Sequence, residues 1–149
     1  MRAPLWEFTG VIEAPPDRVA ALMAVRPGPV GPDNLWLMSD SLPGGVVSGG
    51  PGRFRVSLPS LPSRAMTIEA DDGFVAAQGG WWYRGEYRLE PHPEGSRLVH
   101  RVFNVARRGR WAVPMANRFF IGFEARGRTG MSGLLARVGE RLGCGTRLE

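Results

Sequence analysis

The chain has 149 residues, of which 43% are hydrophobic, and a formal net charge of +5. This length suits one domain with a core of its own, and no apolar run is long enough to span a membrane. Every basic residue is an arginine, so chemistry that needs a lysine, such as a Schiff base or a P-loop lysine, is excluded.

Cysteine content and the N-terminal sequence bear on the compartment. The only cysteine, Cys144, has no internal partner for a disulfide, and the N-terminus lacks the apolar stretch of a signal peptide. Both features predict a cytoplasmic protein. The terminal pair Leu148-Glu149 resembles the residues that a cloned tag leaves behind, so no element is predicted for it.

The first predicted element is a strand. Residues 5–12 alternate between two faces, with Trp6, Phe8 and Ile12 on one of them. Alternation with a period of two is typical of a half-buried strand.

Two short helices are predicted after this strand. The Pro-Pro-Asp run at 15–17 suits a helical first turn, and residues 33–39 favour one or two further turns. The segments 26–32 and 43–52 are rich in glycine and proline, which predicts loops.

The middle of the chain predicts antiparallel strands joined by turns. Alternating apolar residues define five of them, at 53–58, 65–70, 74–78, 81–89 and 97–105. Asp71-Asp72-Gly73 between two of them is a strong hairpin signal. With the N-terminal strand, these segments predict a curved antiparallel sheet of about six strands with one face to bury.

The last third of the chain, residues 114–142, predicts a long helix. Its apolar residues recur at helical spacing on one stripe. Five glycines within it each cost roughly 1 kcal/mol relative to alanine, so packing must hold this helix in place. It is the only predicted element large enough to cover the sheet, which makes the fold α+β and the chain, 1–149, a single domain.

Several local strings, in this order, resemble the START-like (SRPBCC) superfamily, and within it the polyketide cyclase/dehydrase-like branch. They are APPDRV at 14–19, GRFRV at 52–56, YRLEP at 87–91 and GSR at 95–97. The resemblance covers nearly the whole chain and implies a helix-grip fold, in which the sheet wraps the C-terminal helix around a central cavity. It also implies small hydrophobic or aromatic ligands.

The chain departs from the family pattern at Ala20, where a large aromatic residue is usual, and in the glycine content of its last helix. Because the superfamily includes carriers, cyclases and chaperone activators, the resemblance does not select one chemistry.

The sequence contains few motifs that would indicate a cofactor or another partner. With two histidines and one cysteine, no zinc-binding spacing exists, and the glycine-rich fingerprints of nucleotide sites are missing. We therefore predict no cofactor and no metal. The arginines are spread over both faces of the strands, which argues against nucleic acid as a partner. The cluster Arg107, Arg108 and Arg110 beside Trp111 is interpreted as a solvated loop. A homodimer is left open.

The strongest candidate for a polar group inside the cavity is His100, which alternation places on the inward face with Leu98 and Val102. It suits a general acid or base for ring closure, or a group that orients a ligand hydroxyl. The alternative is a buried, neutral histidine bonded to a neighbour. Asn104, on the same face at the strand end, is either a cavity group or a former of the following turn.

Aromatic residues are the other candidate ligand contacts. Tyr83 and Tyr87 face inward, and their hydroxyl-tipped rings suit a flat ligand. Trp36 is predicted at the rim of the cavity mouth. Phe119 and Phe123 lie on the stripe of the long helix. For all of these, an ordinary place in the core is the alternative interpretation.

Two glycines inside predicted elements admit two explanations. Gly85 lies between the inward tyrosines, and Gly127 lies in the middle of the helix stripe. Glycine in a strand or helix interior costs roughly 0.5–1 kcal/mol. Either a cavity needs the space, or the backbones approach closely there.

Two functions follow from these patterns. The first is the binding or carriage of a small hydrophobic or aromatic molecule, which needs only the cavity. The second is a polyketide cyclase or aromatase that uses the same cavity with a few polar groups. An interaction module would need an exposed apolar patch, which the sequence does not locate.

Overall fold

The computed structural model describes residues 3–38, 44–58, 65–80, 82–113 and 123–149. Nine strands lie within these ranges: β1 Trp6–Ile12, β2 Gly28–Pro29, β3 Val46–Gly49, β4 Arg53–Ser57, β5 Met66–Asp71, β6 Phe74–Gly79, β7 Tyr83–His92, β8 Gly95–Asn104 and β9 Thr146–Leu148. The helices are α1 Pro16–Leu22, a 3-10 helix Pro32–Leu37 and α2 Phe123–Leu142.

All nine strands form one antiparallel sheet, in the order β2-β3-β4-β5-β6-β7-β8-β1-β9. Strands β2 to β8 pair with their neighbours in sequence, and the N-terminal strand β1 is inserted between β8 and β9. An α+β chain with a large open antiparallel sheet and a C-terminal helix is thereby confirmed.

The predicted number of about six strands is wrong, because three short strands were missed. Strands β2 and β3 lie within segments that were predicted to be loops, and β2 also separates the two short helices. Strand β3 has only Val46 and Val47 as apolar residues before Ser48 and Gly49. Two apolar residues are too few to show a period of two, so pairing with β4 makes this strand visible only in three dimensions.

The third missed strand, β9, lies at the C-terminus, where the sequence predicted no element. Leu148 pairs with Gly10 in β1, and the backbone N–H of Glu149 donates to the carbonyl of Thr9 at 2.9 Å. The Glu149 carboxylate also accepts from Arg97 Nε at 2.8 Å. The last residues are therefore part of the sheet.

Where the strands were predicted, the inward faces are those that alternation indicates. The inner face is defined here as the face of the sheet that is turned toward α2. Its buried residues include Phe54, Val56, Ile68, Leu98 and Val102. The hairpin at 71–73 joins β5 to β6, and Gly73 has the positive φ of 65° that its turn requires.

The long helix is described from Phe123 to Leu142, and the predicted segment 114–122 lies outside the described residues. Helix α2 packs mainly against β1 and β9. A Cβ atom at Gly127 would stand 2.5 Å from Cζ of Phe8, and one at Gly10 would stand 2.5 Å from Cδ1 of Leu135. Of the two explanations for Gly127, close packing is therefore the correct one, because the ring of Phe8 already fills the space.

Candidate ligand site

The candidate site is built around His100, on the inner face of β8. In the sheet this residue pairs with Phe8 of β1 on one side and with Tyr87 of β7 on the other. The rings of His100 and Tyr87 are stacked, with centroids 4.1 Å apart and planes at 10°. The Phe8 ring lies 6.0 Å from the imidazole. Only 7% of His100 is exposed, so an aromatic enclosure holds the imidazole inside the fold.

Both nitrogens of His100 lack a hydrogen-bond partner among the described residues. A neutral imidazole carries one N–H donor and one acceptor, and an unpaired buried polar atom costs about 1–3 kcal/mol. Burial lowers the pKa of His100 to about 4, because the charged form is poorly solvated there. The imidazole is therefore neutral at pH 7, and the predicted hydrogen bond to a neighbour is not formed within the described part of the chain.

The two tyrosines of β7 lie on the same inner face. Burial raises the pKa of Tyr83 to about 12 and also raises the pKa of Tyr87 above its usual range. Both side chains nevertheless keep some accessible surface. Both rings are therefore largely desolvated, but neither is completely enclosed by the described residues.

Gly85 lies between these tyrosines and opposite Val102 of β8. A Cβ atom at this position would overlap the Tyr83 hydroxyl and would stand 3.2 Å from Nε2 of His100. The missing side chain therefore lets the Tyr83 hydroxyl fold back over the strand toward His100. The tyrosine itself fills the gap that the sequence showed at Gly85.

Trp36 extends the set of buried polar groups. It lies on the 3-10 helix, which contacts α1 and α2, and it is 6% exposed. Its indole Nε1 has no partner in the described part of the chain. The structure thus places Trp36 in the core cluster, and its place at the rim of a cavity mouth stays a prediction.

Asn104 is used by the backbone next to it. Its Nδ2 donates to the carbonyl of Arg110 at 2.8 Å, and its Oδ1 accepts from the N–H of Ala106 at 3.0 Å. The sequence left open whether Asn104 is a cavity group or helps to form the following turn. These two bonds favour the second interpretation, because both hold the loop after β8.

Two of the predicted aromatic contacts lie outside the part of the chain that the structure describes. They are Phe119 and the side chain of Phe123. The remaining candidates lie in or against the core. Trp36 belongs to the core cluster, and Tyr83 and Tyr87 pack against it. His100 has two buried nitrogens without partners among the described residues.

One residue of the site was missed by sequence reasoning. Arg137 of α2 is half-buried, and its Nε is buried without a partner among the described residues. The only sign in the sequence was its place at the border of the apolar stripe, next to Val138, with Gly133 one turn before it. Arginines at such borders normally reach solvent, so this pattern did not single it out.

Other candidate chemistry is sparse in the described residues. Within the ranges given above, no three His, Cys, Asp or Glu side chains lie together as they do around a metal ion. Among the helices that the structure describes, none is both long and apolar enough to cross a membrane. Trp111, beside the arginine-rich loop, is 77% exposed.

Comparison with known proteins identifies the fold and nothing finer. No family model and no curated protein matches the chain. An HSP90 activator from Plasmodium falciparum is 11% identical with a TM-score of 0.55, over 97% of this chain and 100% of that one.

Two further structures have similar scores. A protein from Rhodobacter sphaeroides is 17% identical and one from Mycobacterium smegmatis is 14% identical. Each has a TM-score of 0.51 and covers 92% of this chain and 90% of its own. Identities this low carry no activity from one protein to another. The chain therefore shares its α+β fold with these proteins, and its function has to be argued from its own residues.

Proposed function

We propose that this protein binds a small hydrophobic or aromatic molecule between the inner face of β7 and β8 and helix α2. We also propose that it is a member of the START-like superfamily with a helix-grip fold, as its sequence strings indicate. The observation that carries the binding proposal is the set of buried polar atoms without partners on Trp36, His100 and Arg137. Native proteins pair nearly all such atoms.

The surroundings of these atoms are apolar and aromatic. Tyr83, Tyr87, Ala77 and Met66 are partly buried and pack against the core. An apolar pocket with a few orienting polar groups is the usual form of a small-molecule site. A bound molecule would supply partners for the unpaired atoms and would contact the accessible parts of the tyrosine rings.

The proposal is tested by native mass spectrometry of freshly purified protein and by titration with the neutral fluorescent probe N-phenyl-1-naphthylamine. We expect a co-purifying hydrophobic mass and saturable binding of the probe. Absence of both, at probe concentrations up to its solubility, would refute the proposed function.

A substitution inside the site provides the matched control. Ala77 faces inward on β6 and pairs with Gly85 in the sheet, whereas Gln78, next to it, is exposed. We expect Ala77→Leu to weaken probe binding because the added side chain enters the site. Gln78→Leu puts the same side chain on the outer face and should leave binding unchanged.

The second candidate function, a cyclase or aromatase, has one specific observation in its favour. His100 is neutral at pH 7, with both nitrogens unpaired, and Gly85 brings the Tyr83 hydroxyl close to its Nε2. A neutral imidazole with an unpaired nitrogen can accept a proton, and its lowered pKa makes it a weak base at this position. Product analysis with a linear poly-β-keto thioester would test this function, and ring closure lost in His100→Phe but kept in Asn104→Ala would support it.

A further inference from the structure

Several described arginines have a carboxylate partner on the outer face of the sheet. Arg84 bonds Glu69 at 3.0 Å, and Arg101 bonds Glu7 at 2.7 Å. Arg137, in contrast, makes no ion pair in the described part of the chain, although its Nε is buried. Guanidinium groups that leave water are normally paired with an anion or fully hydrogen-bonded.

The position of Arg137 is fixed by a neighbouring helix and by a missing side chain. Its Nη2 donates to the carbonyl of Met38, at the end of the 3-10 helix, over a long 3.3 Å. Its Nη1 lies 3.5 Å from the place where a Cβ of Gly133 would be. The arginine therefore folds back along α2, over the turn where glycine leaves room, and its Nε is buried.

Arg137 is within electrostatic reach of one of the stacked rings. Its positive charge acts on the Tyr87 hydroxyl and partly opposes the rise in its pKa that burial causes. Trp36, with its unpaired indole N–H, lies two residues before Met38, the residue that Arg137 bonds. The indole N–H of Trp36 and the Nε of Arg137 are thus two buried donors without an acceptor in the described chain, and Arg137 reaches the end of the helix that carries Trp36.

We propose that the molecule bound at this site is a hydrophobic or aromatic organic acid, and that Arg137 is the residue that selects its anionic oxygens. This inference rests on the proposed binding function and adds the ligand class. A carboxylate is the acceptor that fits a guanidinium fork through two parallel hydrogen bonds. It would also accept from the indole N–H and the phenol, while an apolar body covers the tyrosine rings.

The experiment uses a neutral reporter and a pair of competitors that differ in charge. N-phenyl-1-naphthylamine occupies the site, and 2-naphthoate or 2-naphthamide displaces it. The competitors share one ring system and nearly one shape. Since hydrogen bonds to charged groups are the stronger ones, we expect 2-naphthoate to displace the reporter at a concentration roughly tenfold lower than 2-naphthamide.

Substitutions at two arginines of the same helix, Arg137 and Arg141, show whether the preference depends on Arg137. Arg141, one turn after Arg137, also donates to a backbone carbonyl at 3.3 Å, but it is exposed. We expect Arg137→Met to abolish the preference for 2-naphthoate over 2-naphthamide. Arg141→Met should keep the preference. Arg137→Lys retains the positive charge but loses the two parallel N–H donors of the guanidinium, so it should keep part of the preference for 2-naphthoate.

The outcomes separate this inference from the function on which it rests. If the reporter does not bind, the proposed function fails. If the reporter binds but the two competitors displace it equally, or neither displaces it, the inference about the ligand class is wrong and the binding function stands. A preference for 2-naphthoate that survives in Arg137→Met would also overturn the role of Arg137. Should that variant not fold, Arg137→Gln provides the same comparison with a polar side chain.

Discussion

Two regions of the interior are built on different principles. Between α2 and the strand pair β1 and β9, side chains and glycines fit closely, as the contacts of Gly127 with Phe8 and of Gly10 with Leu135 show. Near β7, β8 and the 3-10 helix, the interior holds imidazole, indole and guanidinium atoms without partners among the described residues. The first region is closely packed, which stabilises the fold, whereas the second leaves polar atoms unpaired at a cost in stability.

A buried polar group in the packed region shows what the second region lacks. Ser96 is 0% exposed, and its hydroxyl donates to the carbonyl of Ala14 at 2.7 Å. It satisfies the usual rule that polar groups inside a protein are bonded. His100, in the same strand and also buried, does not. The difference lies in the surroundings of the two side chains and not in their distance from the surface.

The largest expected effect is the contribution of His100, in the polar region, to the pH dependence of the free energy of unfolding. The pKa of His100 is lowered from 6.5 to about 4 in the folded protein, so between these values the unfolded chain binds more protons than the folded one. Stability is therefore fully present above pH 6.5 and falls as the pH drops toward 4, by roughly 3 kcal/mol in total.

Urea unfolding at pH 7 and at pH 4.5 measures this loss. The same two measurements on His100→Phe give the loss that is due to carboxylates elsewhere in the chain, and subtracting it leaves the contribution of His100. The variant keeps Tyr83, Tyr87 and Arg137. An equal loss in the wild type and in His100→Phe would show that the imidazole is not buried as described.

The packed region is tested by adding volume. We expect Gly127→Leu to lower the free energy of unfolding by about 1–3 kcal/mol, because its Cβ would overlap the Phe8 ring. Gly130 lies on the same helix, is exposed and has open space at its Cβ position. Gly130→Leu should therefore be neutral or stabilising, since it removes a glycine from a helix. Chemical denaturation of both variants measures the difference, and equal stabilities would mean that Gly127 borders a void.

The smallest effects come from removing one polar group in each region. Ser96→Ala leaves the carbonyl of Ala14 without its partner and should cost about 1 kcal/mol. His100→Phe keeps a ring for the stack with Tyr87 and removes two unpaired atoms, so at pH 7 the ligand-free protein should gain about 1 kcal/mol. The comparison fails if both substitutions destabilise the protein to the same extent in denaturant titrations.

The sequence by itself determined which side chains of the longer strands face inward. In β4 and β8 the order of apolar residues alternates, and Phe54, Val56, Leu98 and His100 are buried on one face as that order predicts. The reason is local, because successive side chains of a strand point to opposite faces whatever the strand pairs with. The hairpin at 71–73 was readable for the same reason, since its turn chemistry lies within three residues.

Only the tertiary structure decided which distant groups meet. Strands β3 and β9 are too short to show a period, and each is defined by its pairing, β3 with the next strand β4 and β9 with the distant strand β1. Likewise, no local pattern predicts that the Phe8 ring fills the space at Gly127, or that Arg137 bonds the carbonyl of Met38 at the end of the 3-10 helix. Periodicity fixes the face on which a side chain lies, but its neighbours across the core depend on how β1, β7, the 3-10 helix and α2 come together.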